Sequence, residues 1–267
     1  MITVLPEGGL CNRLRVVASS WLLAQRAGQP MTVLWNRAPD FNARFDALFE
    51  TQGLPFAVRE GATMNRPLRA LARSREWWAR LLGVRVLGEA ATEPGRFDLE
   101  RELPALRGRD VFVHTNSRLA FAPGMFDVFR PTGEAAARLQ PLRERLAHSV
   151  GVHVRRTDNT KAAAVSTLAH FVERMRAAQE PGLSFFVATD EPQVLRELQA
   201  QFGDAVWEYP KRAYARDDPQ AIVDALVDLT ALAACRRLIG SYWSSFTDTA
   251  AEWRGIPLVI ARAEGAA

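Results

Sequence analysis

The sequence predicts an α/β protein of two lobes, each built on a parallel sheet with helices packed against it. Three observations carry that prediction. Residues 2–35 run strand, glycine turn, amphipathic helix, strand; after residue 150 strand and helix patterns alternate regularly; and 267 residues with 48% hydrophobic content suffice for two cores.

Residues 2–5 (ITVL) read as a short strand. After the turn-forming EGG, apolar residues recur at helical spacing from Leu10 to Ala27 and stop near Gly28. Met31 to Trp35 forms the next strand, and the glycine-rich loop between aims backbone N–H groups at whatever binds beyond the strand ends. The Arg-rich stretch 59–88 predicts a solvated helix whose Trp77 and Trp78 are anchored in the core, with an acceptor-binding or membrane-surface helix as the alternative. DVFVH (110–114) is a further strand, and the Ala, Leu and Arg pattern of 134–147 predicts a helix closing the first lobe. Strands at 150–155, 184–188, 237–240 and 256–260 then alternate with helices near 166–179, 192–202, 219–235 and 246–254. A boundary near 148 gives lobes of 1–148 and 149–267.

The net charge of +4 comes almost wholly from arginine, since lysine stands only at 161 and 211. Basic residues are interleaved with acids, whereas a nucleic-acid footprint is clustered, so no nucleic-acid partner is expected. Cys11 and Cys235 are too few for a disulfide framework or a zinc site, and no D-x-D motif offers a metal. The first residues lack the features of a signal peptide, and no apolar run approaches the roughly 20 residues of a transmembrane helix. These features lead us to expect a soluble, cytoplasmic chain without a metal.

GVHVRRTD (151–158) places charge at the end of a strand that is otherwise apolar. Alternation puts Val150, Val152 and Val154 on one face and His153 and Arg155 on the other, before the chain leaves the sheet at Arg156. An arginine there suits a phosphate, because its planar fork makes two charge-assisted hydrogen bonds. An Arg155–Asp158 salt bridge beside a packed core His153 explains the same residues equally well. SYWSSFTD (241–248) adds hydroxyls at a helix start, where anions bind, although plain N-capping by Ser244 or Ser245 also fits. Asp224 and Asp228, four apart on one helix face, could offer a carboxylate to a guanine edge. Asp190-Glu-Pro-Gln193 reads as a helix N-cap with its capping-box partner.

These residues resemble a known superfamily. GVHVRRTD is similar to the HxRRxD signature of the GDP-fucose-dependent α1,2- and α1,6-fucosyltransferases, the nodulation type included, and of the protein O-fucosyltransferases. GGLCNRL (8–14) resembles that superfamily's N-terminal G-G-x-G-N-x-L loop, and FFVATDEP (185–192) and VDLTALAACRRLIGSYWSSF (227–246) its later blocks, in the same order. The resemblance implies a GT-B fold of two Rossmann-like lobes facing a cleft, inversion at the fucose carbon, no cofactor beyond the GDP-fucose donor, and no metal. It implies that Arg155 holds the β-phosphate, His153 sits beside the nucleotide, and Asp228 reads guanine. Ser244, Ser245 and Phe246 would line the pyrophosphate, Gly8, Gly9 and Asn12 would approach from the other lobe, and Arg156 and Asp190 complete the donor set. Two departures stand out: Cys11 occupies a usual glycine position, which would leave the loop backbone less free, and Trp243 is an extra residue before the serine pair.

Breaking a glycosyl–phosphate bond develops negative charge on the diphosphate, which a metal-free site must meet with fixed cations and N–H dipoles. The acceptor hydroxyl needs a base within hydrogen-bond reach. Glu7, just before the glycine loop, is the first candidate and Asp158 the second, the latter with the alternative of orienting Arg155 or Arg156. The acceptor expected is an oligosaccharide or lipid-linked glycan, with the chain cytoplasmic or peripheral at the inner membrane face. Trp35, Trp77 and Trp78 could stack on sugar rings or belong to the core. A non-catalytic nucleotide- or sugar-phosphate-binding protein of the same fold, and a transferase using another GDP-sugar, are the alternatives.

Overall fold

The computed structural model describes residues 1–38, 41–61, 77–78, 80–93, 95–156, 160–212 and 217–263. The chain divides into two compact units, Met1–Gly133 with Ala215–Val223, and Glu134–Tyr214 with Asp224–Ala267.

The first unit holds a five-stranded sheet of β1 (Ile2–Pro6), β2 (Met31–Trp35), β3 (Ala57–Glu60), β4 (Arg85–Gly88) and β5 (Val111–Thr115) in the order β3-β2-β1-β5-β4. Every pairing is parallel. Helix α1 (Leu10–Ala27) packs its apolar stripe of Leu14, Val17 and Leu23 inward, and Gly28 ends it in the left-handed conformation at φ 66°. The fully buried Trp35 meets Phe41 and Phe45 at ring centroid distances of 5.4 and 5.2 Å and donates its indole N–H to the Ala43 carbonyl at 3.0 Å. It is therefore a core residue.

The second unit repeats the plan with β6 (Ser149–Val154), β7 (Ser184–Thr189), β8 (Val206–Trp207), β9 (Arg237–Gly240) and β10 (Leu258–Ile260), ordered β10-β9-β6-β7-β8 and again all parallel. Helices α2 (Leu168–Ala178), α3 (Pro192–Phe202), α4 (Pro219–Ala233) and α5 (Ser245–Arg254) supply the crossovers that parallel strands require. Strand β6 is buried along its whole length, as a central strand covered on both faces must be. On one side of it Val150, Val152 and Val154 join Phe171, Met175 and Phe185 in the core.

The structure departs from the sequence expectations in several places. The 134–147 stretch is a helix at Gly133–Leu139, a 3₁₀ turn at Gln140–Leu142 and a second helix at Arg143–Ala147, because Pro141 cannot donate the hydrogen bond that a continuous helix needs. This stretch belongs to the second unit, where Arg145 lies 4.1 Å over the Trp207 ring and its carbonyl accepts from the Ser149 hydroxyl. Trp77 and Trp78 are 56% and 57% exposed, edge to face with each other, so neither is anchored in the core. Residues 62–76 of that predicted helix lie outside the described residues. Among the described residues no helix is long and apolar enough to cross a membrane.

Candidate active site

In open α/β sheets, ligands bind beyond the carboxyl ends of the strands where the strand order turns back on itself. In the second unit that point lies between β6 and β9. Residues that the sequence marked as candidates gather there. His153, the penultimate residue of β6, is buried, stacks on the Phe246 ring at 4.7 Å and shares a 2.7 Å hydrogen bond between Nδ1 and the Thr247 hydroxyl. Burial, reinforced by the neighbouring Arg155 cation, drives its pKa down to about 3, so the ring is neutral at working pH.

Beyond His153 the chain leaves the sheet, and two side chains fix the turn. Ser241, directly after β9, accepts the Arg155 backbone N–H at 2.9 Å and donates to the His153 carbonyl at 3.2 Å. Asp190, directly after β7, accepts the Arg156 N–H at 3.0 Å and lies 3.5 Å from the Arg155 guanidinium. The Arg155 side chain is 22% exposed, so it is largely held by protein without being sealed from solvent. Arg156 in turn approaches Glu191 at 3.5 Å.

Asp190 thus orients the arginine turn and is not the helix cap that the sequence predicted. The N-cap of α3 is Glu191, which makes no side-chain capping bond, and Gln193 bonds Glu197 and Arg196 instead of closing a capping box. Asp158, the other residue considered for orienting the arginines, lies outside the described residues.

At the start of α5 the two serines separate in role. Ser244 is the buried N-cap, its hydroxyl accepting the Thr247 N–H. Ser245 and Phe246 follow as the first helical residues, half-buried, in the turn whose N–H groups have no partner within a helix. Trp243 takes up the extra position with φ 51°, the one positive-φ residue other than glycine among those described, and stands 64% exposed. The helix therefore begins at the serine pair despite the added residue.

The paired aspartates of α4 also divide. Asp224 is fully buried and saturated: it accepts from the Arg138 guanidinium at 2.8 Å and from the Arg212 backbone N–H at 2.6 Å. Asp228 binds Lys211 through one oxygen at 3.1 Å, while its other oxygen, Oδ1, is buried with no hydrogen-bond partner among the described residues. Burial pushes this carboxyl up to about 6, against the pull of Lys211. A buried acceptor left unmet costs about 1–3 kcal/mol, which a donor edge placed on it would recover. Lys211 also donates to the Thr189 carbonyl at 2.8 Å; the one signal of its role in the sequence is that it is one of only two lysines.

In the first unit the strand order turns back between β1 and β5. Gly8, at φ 80°, turns the chain from β1 into α1; a side chain there would meet Asn12 at 2.8 Å, so both the conformation and the close approach require glycine. Gly9 is the N-cap of α1 and makes no side-chain capping bond. Buried Arg13 holds the loop by donating to the Gly8 carbonyl at 2.8 Å and the Asn36 carbonyl at 2.9 Å, over the Phe41 ring. Cys11 sits inside α1, where helical backbone suits any residue, so the missing glycine does not restrict the loop. Glu7 precedes Gly8; its carboxylate contacts the His114 ring at 3.0 Å.

No protein-family model matches the chain, and neither does any curated protein. Solved structures do. A NodZ alpha-1,6-fucosyltransferase soaked with GDP-fucose superposes with a TM-score of 0.64 at 21% identity, over 97% of this chain and 94% of that one. Arabidopsis thaliana FUT1 in complex with GDP gives 0.62 at 14% identity, over 99% of this chain and 70% of that one. POFUT1 in complex with GDP gives 0.52 at 11% identity, with 97% of each chain covered. The chain thus has the α/β fold of these fucosyltransferases, the GT-B class with its two Rossmann-like parallel sheets.

Proposed function

We propose that this protein is an inverting, metal-independent glycosyltransferase that moves fucose from GDP-fucose to a hydroxyl of a glycan acceptor. The observation that carries the reading is the cluster at the carboxyl ends of β6, β7 and β9: a braced arginine, a helix start and a buried carboxylate with one unmet acceptor, in a fold shared with proteins solved with GDP and GDP-fucose.

In this reading the Asp228 carboxylate accepts the N1–H and N2–H edge of guanine, while Arg155 and the first N–H groups of α5 hold the diphosphate. Neutral His153 and the Phe246 ring it stacks on form an apolar wall beside the nucleotide, Ser244 and Ser245 line the pyrophosphate, and Arg156 adds positive charge. Gly8, Gly9 and Asn12, at the turn into α1 and its first residues, are the first unit's candidates for contact with the donor. The acceptor oxygen attacks the anomeric carbon from the face opposite the phosphate, and the new C–O bond forms as the bond to the β-phosphate oxygen breaks. The released electron pair rests on GDP, where Arg155 stabilises it, and the hydroxyl proton passes to the Glu7 carboxylate. Asp158 is the alternative base.

The acceptor class that fits a glycan product is an oligosaccharide or lipid-linked glycan. The test is GDP release from GDP-fucose, with GDP-mannose and UDP-galactose as parallel donors. Release from GDP-fucose alone is expected; release from none of the three, with or without glycan acceptors, would end the reading, and release from GDP-mannose alone would move it to another GDP-sugar.

A further inference from the structure

Exposed apolar surface in the first unit gathers in one turn. Trp77, Trp78, Leu81 and Leu82 are 56%, 57%, 60% and 78% exposed, four large hydrophobic side chains within a single short stretch. Trp77, Trp78, Arg80 and Leu81 are helical, the Leu82 N–H donates to the Trp78 carbonyl at 3.0 Å, and Gly83 ends the turn at φ 77°. Helical spacing sets Leu81 beside Trp77 and Leu82 beside Trp78, so the four share one face. The two indoles meet edge to face at 4.9 Å. Single exposed hydrophobics are ordinary on a protein surface, but a cluster of this kind marks a place of interaction.

The turn is mounted on the sheet. Val84 packs against the core cluster of Leu5, Val86 and Phe112, and Arg85 opens the edge strand β4, its N–H donating to the Asp110 carbonyl at 2.9 Å. The patch therefore stands at the amino end of β4, the opposite end of the strands from the Gly8 loop that follows β1.

Charge decides what the patch meets. Residues 59–88 hold seven arginines and two glutamates, a net of +5 against +4 for the whole chain, so all other residues together carry −1. The balance of basic and acidic residues that holds elsewhere fails in this one stretch. Of its described residues, Arg59, Arg80 and Arg85 are exposed. A second copy of the chain would bring two such cationic stretches together, and like charges repel. A polynucleotide would meet the arginines and stack on the indoles, but the two leucines would stay in water. A bilayer satisfies both features, because tryptophan and leucine enter the boundary between headgroups and acyl chains while arginine stays at the level of the phosphates.

We propose that this turn docks the protein on an anionic lipid surface, with Trp77, Trp78, Leu81 and Leu82 entering the interface and the positive charge of the stretch drawing it to anionic headgroups. The docking is peripheral and stands apart from the transferase reading.

Flotation of the full chain with vesicles tests this, using phosphatidylcholine alone and phosphatidylcholine mixed in equal parts with phosphatidylglycerol. The protein should partition onto the mixed vesicles at low salt about tenfold or more above phosphatidylcholine alone. It should be released at about 1 M salt, where the screening length is about 3 Å. The double variant Trp77→Ser, Trp78→Ser should partition about tenfold less at an unchanged thermal midpoint, because both side chains are exposed in the folded chain. Equal flotation with the two lipids, flotation indifferent to the two serines, or none with either lipid would overturn the proposal. So would a dimer in solution that the serines dissociate, which would assign the face to a second copy, or capture of single-stranded RNA in place of vesicles, which would assign it to nucleic acid. None of these outcomes bears on GDP release, which tests the transferase reading by itself.

Discussion

Asp224 and Asp228 lie one turn apart on α4 and meet opposite fates. Asp224 receives Arg138 and the Arg212 N–H and is a structural anchor; among the described residues Asp228 receives Lys211 alone and keeps one buried oxygen unmet. Spacing placed the two on one helix face, but which of them is saturated depends on Arg138, Lys211 and Arg212, whose approach no local pattern encodes. The perturbed carboxyl sets a pH dependence. In the folded protein Asp228 titrates near 6, and only its ionised form accepts two N–H groups from a guanine edge. Its contribution to GDP affinity is therefore full above pH 6 and falls by up to tenfold per unit below it. Calorimetry of GDP binding at pH 7.5 and 5 should show this loss in the wild type, and a smaller one in Asp228→Asn, where only the ligand phosphate still titrates. Equal losses in the two proteins would show that Asp228 does not meet the nucleotide.

At the scale of elements, the junction of β9 and α5 sets the site. Gly240 ends β9, and a methyl group there would come within 2.1 Å of the Thr247 side chain, whose hydroxyl holds His153. Glycine is required at this position for space, since its backbone is not in the left-handed region. Gly240→Ala should destabilise the protein by about 1–3 kcal/mol through overpacking, read as a lower denaturant midpoint at unchanged slope. An unchanged midpoint would mean that α5 moves away freely. The alternating strands and helices after residue 150 were legible because buried parallel strands are continuous apolar runs. Strand β4 lies inside the Arg-rich 59–88 stretch whose pattern predicts a helix, β3 is mostly exposed and so lacks an apolar run, and β8 spans two residues. Trp77 and Trp78 are exposed and not in the core, which the sequence does not show because helical periodicity tells which side chains share a face and not what covers that face.

At the scale of the whole molecule, the same plan occurs twice: a parallel five-stranded sheet whose order turns back beside its first strand, with charged and hydroxyl side chains gathered where the strands end. That placement explains the charge in GVHVRRTD, which begins where β6 stops pairing. The motif blocks were readable because each is local. The contacts that arrange them join strand ends brought side by side only by the sheet: Glu7 with His114, Arg155 with Asp190, Ser241 with the Arg155 N–H. Calorimetric titration of the protein with GDP, beside ADP and beside the Arg155→Ala variant, puts the proposed donor site to the question. GDP should bind and ADP should not, and Arg155→Ala should weaken GDP by about 10- to 100-fold, the loss of a charge-assisted pair to phosphate. Equal affinity for GDP and ADP, or an Arg155→Ala variant that binds GDP as the wild type does, would contradict a guanine-reading diphosphate clamp in the second unit.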